Sequence, residues 1–248
     1  MRVTIITATY NSQKTIRDTL LSLERQSYHD IEYIVVDGAS TDSTLEIIKN
    51  TSSRVSTIIS EPDKGIYDAL NKGIKVSSGD VIGFLHSDDL FAYDDAVKDL
   101  VEAFQLTGRD AIYGDLEYVS YADVHKRIRL WKSGYYNRIK IKLGWMPPHP
   151  AFYMKRSCYD TFGGFSLKYR ISADYDSLLR YILKNKVSIS YLSKIIVKMR
   201  VGGISNRSLS SMFKKSSEDI QIMKNNNLIW PLALALKNLS KLPQFFKK

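Results

Sequence analysis

Between Val3 and Leu85 the chain repeats one pattern four times: a short, near-continuous apolar run followed by a segment of helical periodicity. The runs VTIIT, IEYIVVD, VSTIIS and VIGFL lead into helical patterns over 13–26, 42–50, 66–77 and 93–106, and AIYGDLEYV closes the series. Strands without polar alternation are buried on both faces. The pattern therefore predicts an α/β chain with βαβ units and a Rossmann-like, mostly parallel sheet with helices on both faces. With 248 residues, 44% of them apolar, the chain can bury a sizeable core. In open parallel sheets ligands bind beyond the carboxyl ends of the strands, so the residues after each run are the first place to look for chemistry.

Beyond Tyr118 the pattern loosens. VHKRIRLW reads as a strand, SGYYNRIKIKLGWMPPHP as a long loop and AFYMK as a short strand. Helices are expected over 174–185 and 207–226, separated by a strand pair, VSISYL and IIVKMRV. In the tail, LIWPLALALKNLSKLPQFFKK, Pro231 and Pro243 bracket an amphipathic helix. Such a helix either lies on a membrane surface or packs on the core of its own domain. No run reaches the roughly 18 apolar residues that a membrane span needs, and the opening MRVTIITATYN reads as free of a signal peptide. The single cysteine, Cys158, fits a reducing cytoplasm.

The net charge of +10 hides an asymmetry. Residues 1–125 hold 11 Lys/Arg and 21 Asp/Glu, a balance of −10; residues 126–248 hold 25 and 5, a balance of +20. Carboxylates gathered in the first half suit a metal ion or sugar hydroxyls, whereas a basic second half suits phosphates, nucleic acid or an anionic membrane surface.

The strand ends sharpen this. Thr9, Tyr10 and Asn11 follow the first run, Asp37 to Asp42 the second, Glu61 to Asp63 the third, and His86, Ser87, Asp88 and Asp89 the fourth. Taken singly, Asn11 or Ser12 and Asp42 cap helices, and Asp37 and Asp63 make turns. Four successive ends carrying acidic or amide groups point to one functional rim. Neither G-x-G-x-x-G nor G-x-x-x-x-G-K-[ST] is present, so a dinucleotide fold or a Walker-type phosphate cradle is not indicated. Hard oxygen donors at a strand end suit Mg2+ or Mn2+, which in turn binds a diphosphate.

Three ordered segments, VTIITATYNSQKTIRDTLLSLERQSYHDIEYIVVDGASTDST, SEPDKGIYDALNKGIKVSSGDVIGFLHSDD and ISADYD, resemble the family 2 nucleotide-sugar glycosyltransferases of the non-processive, bacterial polysaccharide type. The resemblance spans about residues 1–205 and implies the GT-A fold. It implies that Thr9, Tyr10, Asn11 and Asp37 line the nucleoside pocket, and that Asp63, helped by Lys64, reaches the base or ribose. HSDD matches the family's metal motif with His86 in place of its first acid. Asp88, with His86, then holds the cation, and Ser87 and Asp89 contact donor or sugar. ISADYD supplies the general base, assigned to Asp174 ahead of Asp176; capping of the helix at 174 accounts for the same residue. Arg200 and Ser205, in KMRVGGISNRS, are expected to close over the diphosphate, unless the segment is a plain turn. His149, between prolines, either contacts the acceptor or diphosphate or serves local structure.

These readings divide the chain into a nucleotide-sugar-binding half (1–118), an acceptor-binding and catalytic-base half (119–205) and a basic helical tail (206–248). The expected activity is metal-dependent, inverting transfer of one sugar from a nucleoside diphosphate sugar, UDP-linked, to an acceptor hydroxyl. The expected acceptor is an undecaprenyl-diphosphate-linked oligosaccharide of surface polysaccharide (O-antigen) assembly, at the inner face of the cell membrane. Two alternatives stand beside it: an inactive sugar-nucleotide-binding relative, for which His86 marks a lost metal site, and a basic polyanion-binding protein. The latter leaves the strand-end carboxylates unexplained and shows no nucleic-acid reader motif.

Overall fold

A computed structural model describes residues 1–201, 209–240 and 244. The repeating pattern becomes β1 (Val3–Thr9), α1 (Ile16–Glu24), β2 (Ile31–Asp37), α2 (Thr44–Thr51), β3 (Val55–Ser60), α3 (Ile66–Val76), β4 (Val81–Phe84) and, after a two-residue β5 (Leu90–Phe91), α4 (Ala96–Thr107). Strands β3, β2, β1 and β4 lie side by side and parallel. Thr9 is in register with Asp37, and Asp37 with Ser60. All four carboxyl ends therefore open on one edge.

The second half departs from the parallel plan. β6 (Ala111–Val119), β7 (Arg127–Trp131) and β8 (Phe152–Lys155) bring antiparallel pairings, with β8 inserted between β4 and β6. The expected strand pair VSISYL and IIVKMRV is instead one strand, β9 (Ile189–Arg200), parallel to β6. The two residues between those runs, Ser193 and Lys194, fall where the register shifts between Tyr113 and Leu116, so the interruption is an irregularity within a strand. The long loop contains α5 (Arg138–Lys142), capped by Asn137 through its Oδ1 and the Ile139 N–H (2.7 Å), and a 3₁₀ turn at His149–Ala151. After α6 (Arg156–Phe162), α7 (Ala173–Leu178) runs on as a π-helical turn to Lys184. α8 (Leu209–Asn225) and α9 (Trp230–Leu239) complete the described chain.

Alternate strand residues feed two cores. Val3, Ile5, Tyr33 and Val35 face Ile16, Leu20, Ile48 and Leu100 of α1, α2 and α4. Ile6, Ile34, Val36 and Phe84 face Leu70 of α3, Tyr175 and Leu178 of α7, Ile222 and Met223 of α8 and Ala233 of α9. The C-terminal helices thus pack on the domain itself. Gly83 shows how tightly β4 and β8 meet: a Cβ there would fall 1.9 Å from the Tyr153 ring. Among the described residues no helix is long and apolar enough to cross a membrane.

Candidate active site

The first two strand ends are tied together by their own polar groups. Asn11, in left-handed backbone (φ 47°), donates its N–H to Ser40 Oγ (2.9 Å) and accepts the Thr41 N–H on Oδ1 (2.9 Å). Asp37 is fully buried; it accepts from Ser40 N (3.0 Å), Ser60 Oγ (2.8 Å) and Ser40 Oγ. Its oxygens therefore brace the 38–41 loop from beneath. Thr9 is buried as well, with Oγ1 unpartnered.

Above this bracing lies a cavity of about 530 Å³, lined by Tyr10, Gly38, Asp63, Lys64 and Tyr67 on one side and by Leu167, Tyr169 and Arg170 on the other. Its volume falls in the range of small-ligand sites. Tyr10 is 62% exposed and offers a ring face. Asp63 is placed by the Gly65 N–H (2.8 Å to Oδ1), and its Oδ2 occupies the space that a side chain at residue 38 would fill, 2.5 Å from the ideal Cβ. Asp63 and Lys64 thus line the cavity, whereas the buried Asp37 stands behind it.

After β4 the chain turns sharply, with the Asp89 N–H donating to the His86 carbonyl (3.0 Å). Ser87 Oγ meets Ser12 Oγ at 2.9 Å, linking this turn to the first strand end. Asp88 is half-buried, while Asp89 is fully buried with neither carboxyl oxygen hydrogen-bonded. Burial and the Asp88 charge push the Asp89 carboxyl well above the usual range, against the opposing pull of Arg200. Arg200 itself is turned inward: Nη1 donates to the Asp88 carbonyl (3.0 Å), Nη2 pairs with Asp18 and Nε reaches the Tyr121 carbonyl (3.3 Å). It backs the Asp88 turn in this arrangement. Ser205 lies outside the described residues.

Asp174 opens α7. Tyr67 Oη donates to the Ile171 carbonyl (2.7 Å) and lies 3.2 Å from Asp174 Oδ1, so one wall of the cavity is in hydrogen-bond contact with this carboxylate. Burial raises the Asp174 pKa, and Lys237 and Lys215 only partly offset it. His86 lies within the field of both Asp88 and Asp174, yet burial still lowers its pKa. His149, tilted against Phe84 (ring centroids 5.1 Å) and 5.9 Å from the His86 ring, is held at about 3 by burial and by His86. Both rings are therefore neutral near pH 7.

Among the described residues no three His, Cys, Asp or Glu groups converge as a closed metal cage. The donors present fit a more open site. Asp88 is half-buried, and His86 has a buried Nδ1 with no partner. Mg2+ and Mn2+ often take one or two protein ligands and complete their shell with phosphate oxygens and water.

A parallel sheet edge carrying a nucleoside-sized cavity, a carboxylate turn and a buried carboxylate beside them is the plan of a GT-A glycosyltransferase. Comparisons with known proteins agree: the model for "Glycosyl transferase family 2" matches residues 4–162, and the chain belongs to that family. A PGL/p-HBAD biosynthesis glycosyltransferase of Mycobacterium bovis (strain BCG / Pasteur 1173P2) is 28% identical over 217 residues, covering 85% of this chain and 82% of the relative. An uncharacterized glycosyltransferase of Mycobacterium tuberculosis (strain ATCC 25618 / H37Rv) is 30% identical over 197 residues, 73% of this chain and 69% of its own. Among solved structures, S. aureus TarS 1–349 in complex with UDP-GlcNAc superposes with a TM-score of 0.72 at 20% identity, covering 97% of this chain and 70% of that truncated chain. Mannosyltransferase PcManGT from Pyrobaculum calidifontis, in complex with GDP-Man and Mn2+, gives 0.68 at 17% identity, covering 96% and 69%.

Tyr67, Tyr169, Arg170 and the C-terminal Glu218, Asp219 and Lys237 were not marked in the sequence as site residues. Glu218 and Asp219 carried one signal, as the adjacent and only carboxylates in residues 177–248.

Proposed function

We propose that the chain is an inverting glycosyltransferase that moves one sugar from a UDP-linked donor to a hydroxyl of a lipid-linked oligosaccharide, with a divalent cation at Asp88 and His86. The observation that carries this reading is the Tyr67 bridge. It joins the wall of the cavity that receives the nucleotide to Asp174, a buried carboxylate whose raised pKa makes it a stronger base.

In the proposed reaction Asp174 takes the proton of the acceptor hydroxyl as its oxygen bonds to the anomeric carbon and the bond from that carbon to the diphosphate breaks. Attack opposite the leaving group inverts the centre. Tyr10, Asp63 and Lys64 hold the nucleoside; a carboxylate accepts from uracil N–H or ribose hydroxyls, which discriminates donors by the cost of unpaired groups. When bound, the cation supplies positive charge to the departing diphosphate. The TarS complex with UDP-GlcNAc and the PcManGT complex with Mn2+ support the donor class and the cation.

The acceptor reading rests on the C-terminal helices. Trp230, Leu232 and Leu239 of α9 face outward, with Met212 and Phe213 of α8 also exposed, in a half of the chain with a balance of +20. An apolar face among lysines suits the inner surface of an anionic membrane, where a lipid-linked diphosphate acceptor resides.

A panel of UDP- and GDP-sugars, assayed by nucleoside diphosphate release with and without Mn2+ and a crude lipid-linked acceptor pool, tests the reading. Acceptor-stimulated release from a UDP-sugar is the expected result. Absence of release from every donor in the presence of both overturns it.

A further inference from the structure

The turn that precedes α7 presents three successive backbone N–H groups, at Arg170, Ile171 and Ser172. The N-cap residue, Ser172, makes no side-chain cap bond. All three N–H groups instead donate to one carboxylate from α8: Arg170 N to Glu218 Oε1 at 3.0 Å, and Ile171 N and Ser172 N to Oε2 at 2.9 Å each. Glu218 is buried. The carbonyl of Ile171, the middle residue of this turn, accepts the Tyr67 hydroxyl that also contacts Asp174. The next α8 residue, Asp219, is buried and binds Lys237 Nζ of α9 at 2.9 Å; that ammonium lies 3.4 Å from the centre of the Tyr175 ring, beside Asp174 in sequence.

We propose that α8 and α9 belong to the catalytic centre, with Glu218 a positioning residue that fixes the 170–172 turn and through it the Asp174 carboxylate. The inference rests on the reading of Asp174 as the base and deepens it, because the segment that aims the base lies beyond residues 4–162, where the family model matches. A carboxylate that receives three N–H groups at once leaves the turn little freedom to tilt. Displacement of a reacting group by about 1 Å costs on the order of a hundredfold in rate.

The groups that face Asp174 define what its titration reads. They are Tyr67 from α3, His86 from the β4 turn, Tyr118 from β6, Lys215 and Asp219 from α8, and Lys237 from α9. Loss of the Glu218 clamp lets the 170–172 turn and Asp174 relax toward water, which lowers a carboxyl pKa that burial had raised.

The test uses the full chain. Carbon-13 NMR follows the Asp174 side-chain carboxyl in wild type and Glu218→Gln, calorimetry follows UDP binding, and turnover is read as diphosphate release from UDP-GlcNAc, UDP-glucose and GDP-mannose. In Glu218→Gln one acceptor oxygen becomes an NH2 group, so N–H groups of the turn go unpaired. The Asp174 midpoint is expected to fall, with UDP affinity little changed and turnover down roughly ten- to a hundredfold. An unchanged Asp174 titration in folded Glu218→Gln overturns the proposal, whatever happens to Tm. If Glu218→Gln does not fold, Glu218→Asp, which keeps the charge but shortens the reach to the turn, is judged by the same criterion. Asp174→Asn separates the two readings. If it abolishes turnover while Glu218→Gln retains it, positioning is overturned and the base stands; full turnover in Asp174→Asn overturns both.

Discussion

Gly38 and Asp63 share one volume: the Asp63 Oδ2 lies 2.5 Å from where a Cβ at residue 38 would be. The absence of a side chain at residue 38, at the end of β2, thus lets the carboxylate after β3 reach the cavity. Gly38→Ala is expected to push Asp63 aside and weaken UDP binding about tenfold, the equivalent of one charge-assisted hydrogen bond of about 1.5 kcal/mol. Isothermal calorimetry with UDP checks this, and Asp63→Asn should show a loss of similar size. Unchanged affinity in both variants would remove Asp63 from the nucleoside site.

Asp174 gives a pH signature. Its folded pKa is raised, chiefly by burial, and a general base must be deprotonated to work. Activity is therefore lost as pH falls through a value above the ordinary carboxylate range, so the acid limb of kcat/KM should lie higher than for an exposed aspartate. Asp174→Asn should lower kcat by about 10²- to 10⁴-fold with UDP affinity preserved. The same shift costs stability: the unfolded chain releases this proton at lower pH, so the contribution of Asp174 becomes less favourable as pH rises between the unfolded and folded values.

Cation dependence is checked at Asp88. Chelation with EDTA should abolish sugar transfer, and Mn2+ or Mg2+ should restore it in wild type. Asp88→Asn should require far more metal for half-maximal rate, because the half-buried carboxylate is the charged donor beside a neutral His86. Full activity in EDTA would count against the site.

The parallel half of the fold was legible because each strand is buried on both faces and reads as an apolar run, and because parallel pairing sends every strand end to one edge. That Asp63 and Asp88 follow strand ends and that Asp174 opens a helix could be read from the sequence alone. What position could not reveal is which way a polar group points. Asp37 follows its strand as Asp63 follows the next, yet Ser40 and Ser60 draw its oxygens beneath the loop. Arg200 reads as a phosphate ligand, but Asp18, 182 residues away in sequence, turns it inward. VSISYL and IIVKMRV read as two strands, and only the partner strand shows that Ser193 and Lys194 between them sit at a register shift within one. The C-terminal helices were legible, but which face of the last one turns inward was not. A lone lysine in WPLALALKNL reads as the polar face, whereas Lys237 points inward to Asp219 while Leu232 and Leu239 face out.

That buried pair carries a stability prediction. Burial holds Lys237 at about 8 against its usual 10.5, while Asp219 and Asp174 pull it upward. Lys237→Met removes this disfavoured buried charge and leaves Asp219 with Lys215, 3.6 Å away. The folded chain sheds the Lys237 proton before the unfolded one does. Wild-type stability should therefore gain from pH 8 to pH 10.5, a gain that Lys237→Met lacks, as chemical denaturation at a series of pH values would show.

The outward face of α9 makes the membrane reading testable apart from catalysis. Leu232 and Leu239 are exposed, so Leu232→Asp/Leu239→Asp should leave Tm within about a degree, as surface changes usually do. If this face lies on an anionic bilayer, the double variant should lose most of its flotation with vesicles containing anionic phospholipid. Wild type should float with those vesicles and not with purely zwitterionic ones, because each lysine near the surface adds about 1 kcal/mol only where the lipid is charged. Raising the salt should release it as the Debye length shortens. Equal flotation of wild type and variant would move the contact elsewhere in the basic half, and no flotation of either would place the acceptor reading on soluble rather than lipid-linked hydroxyls.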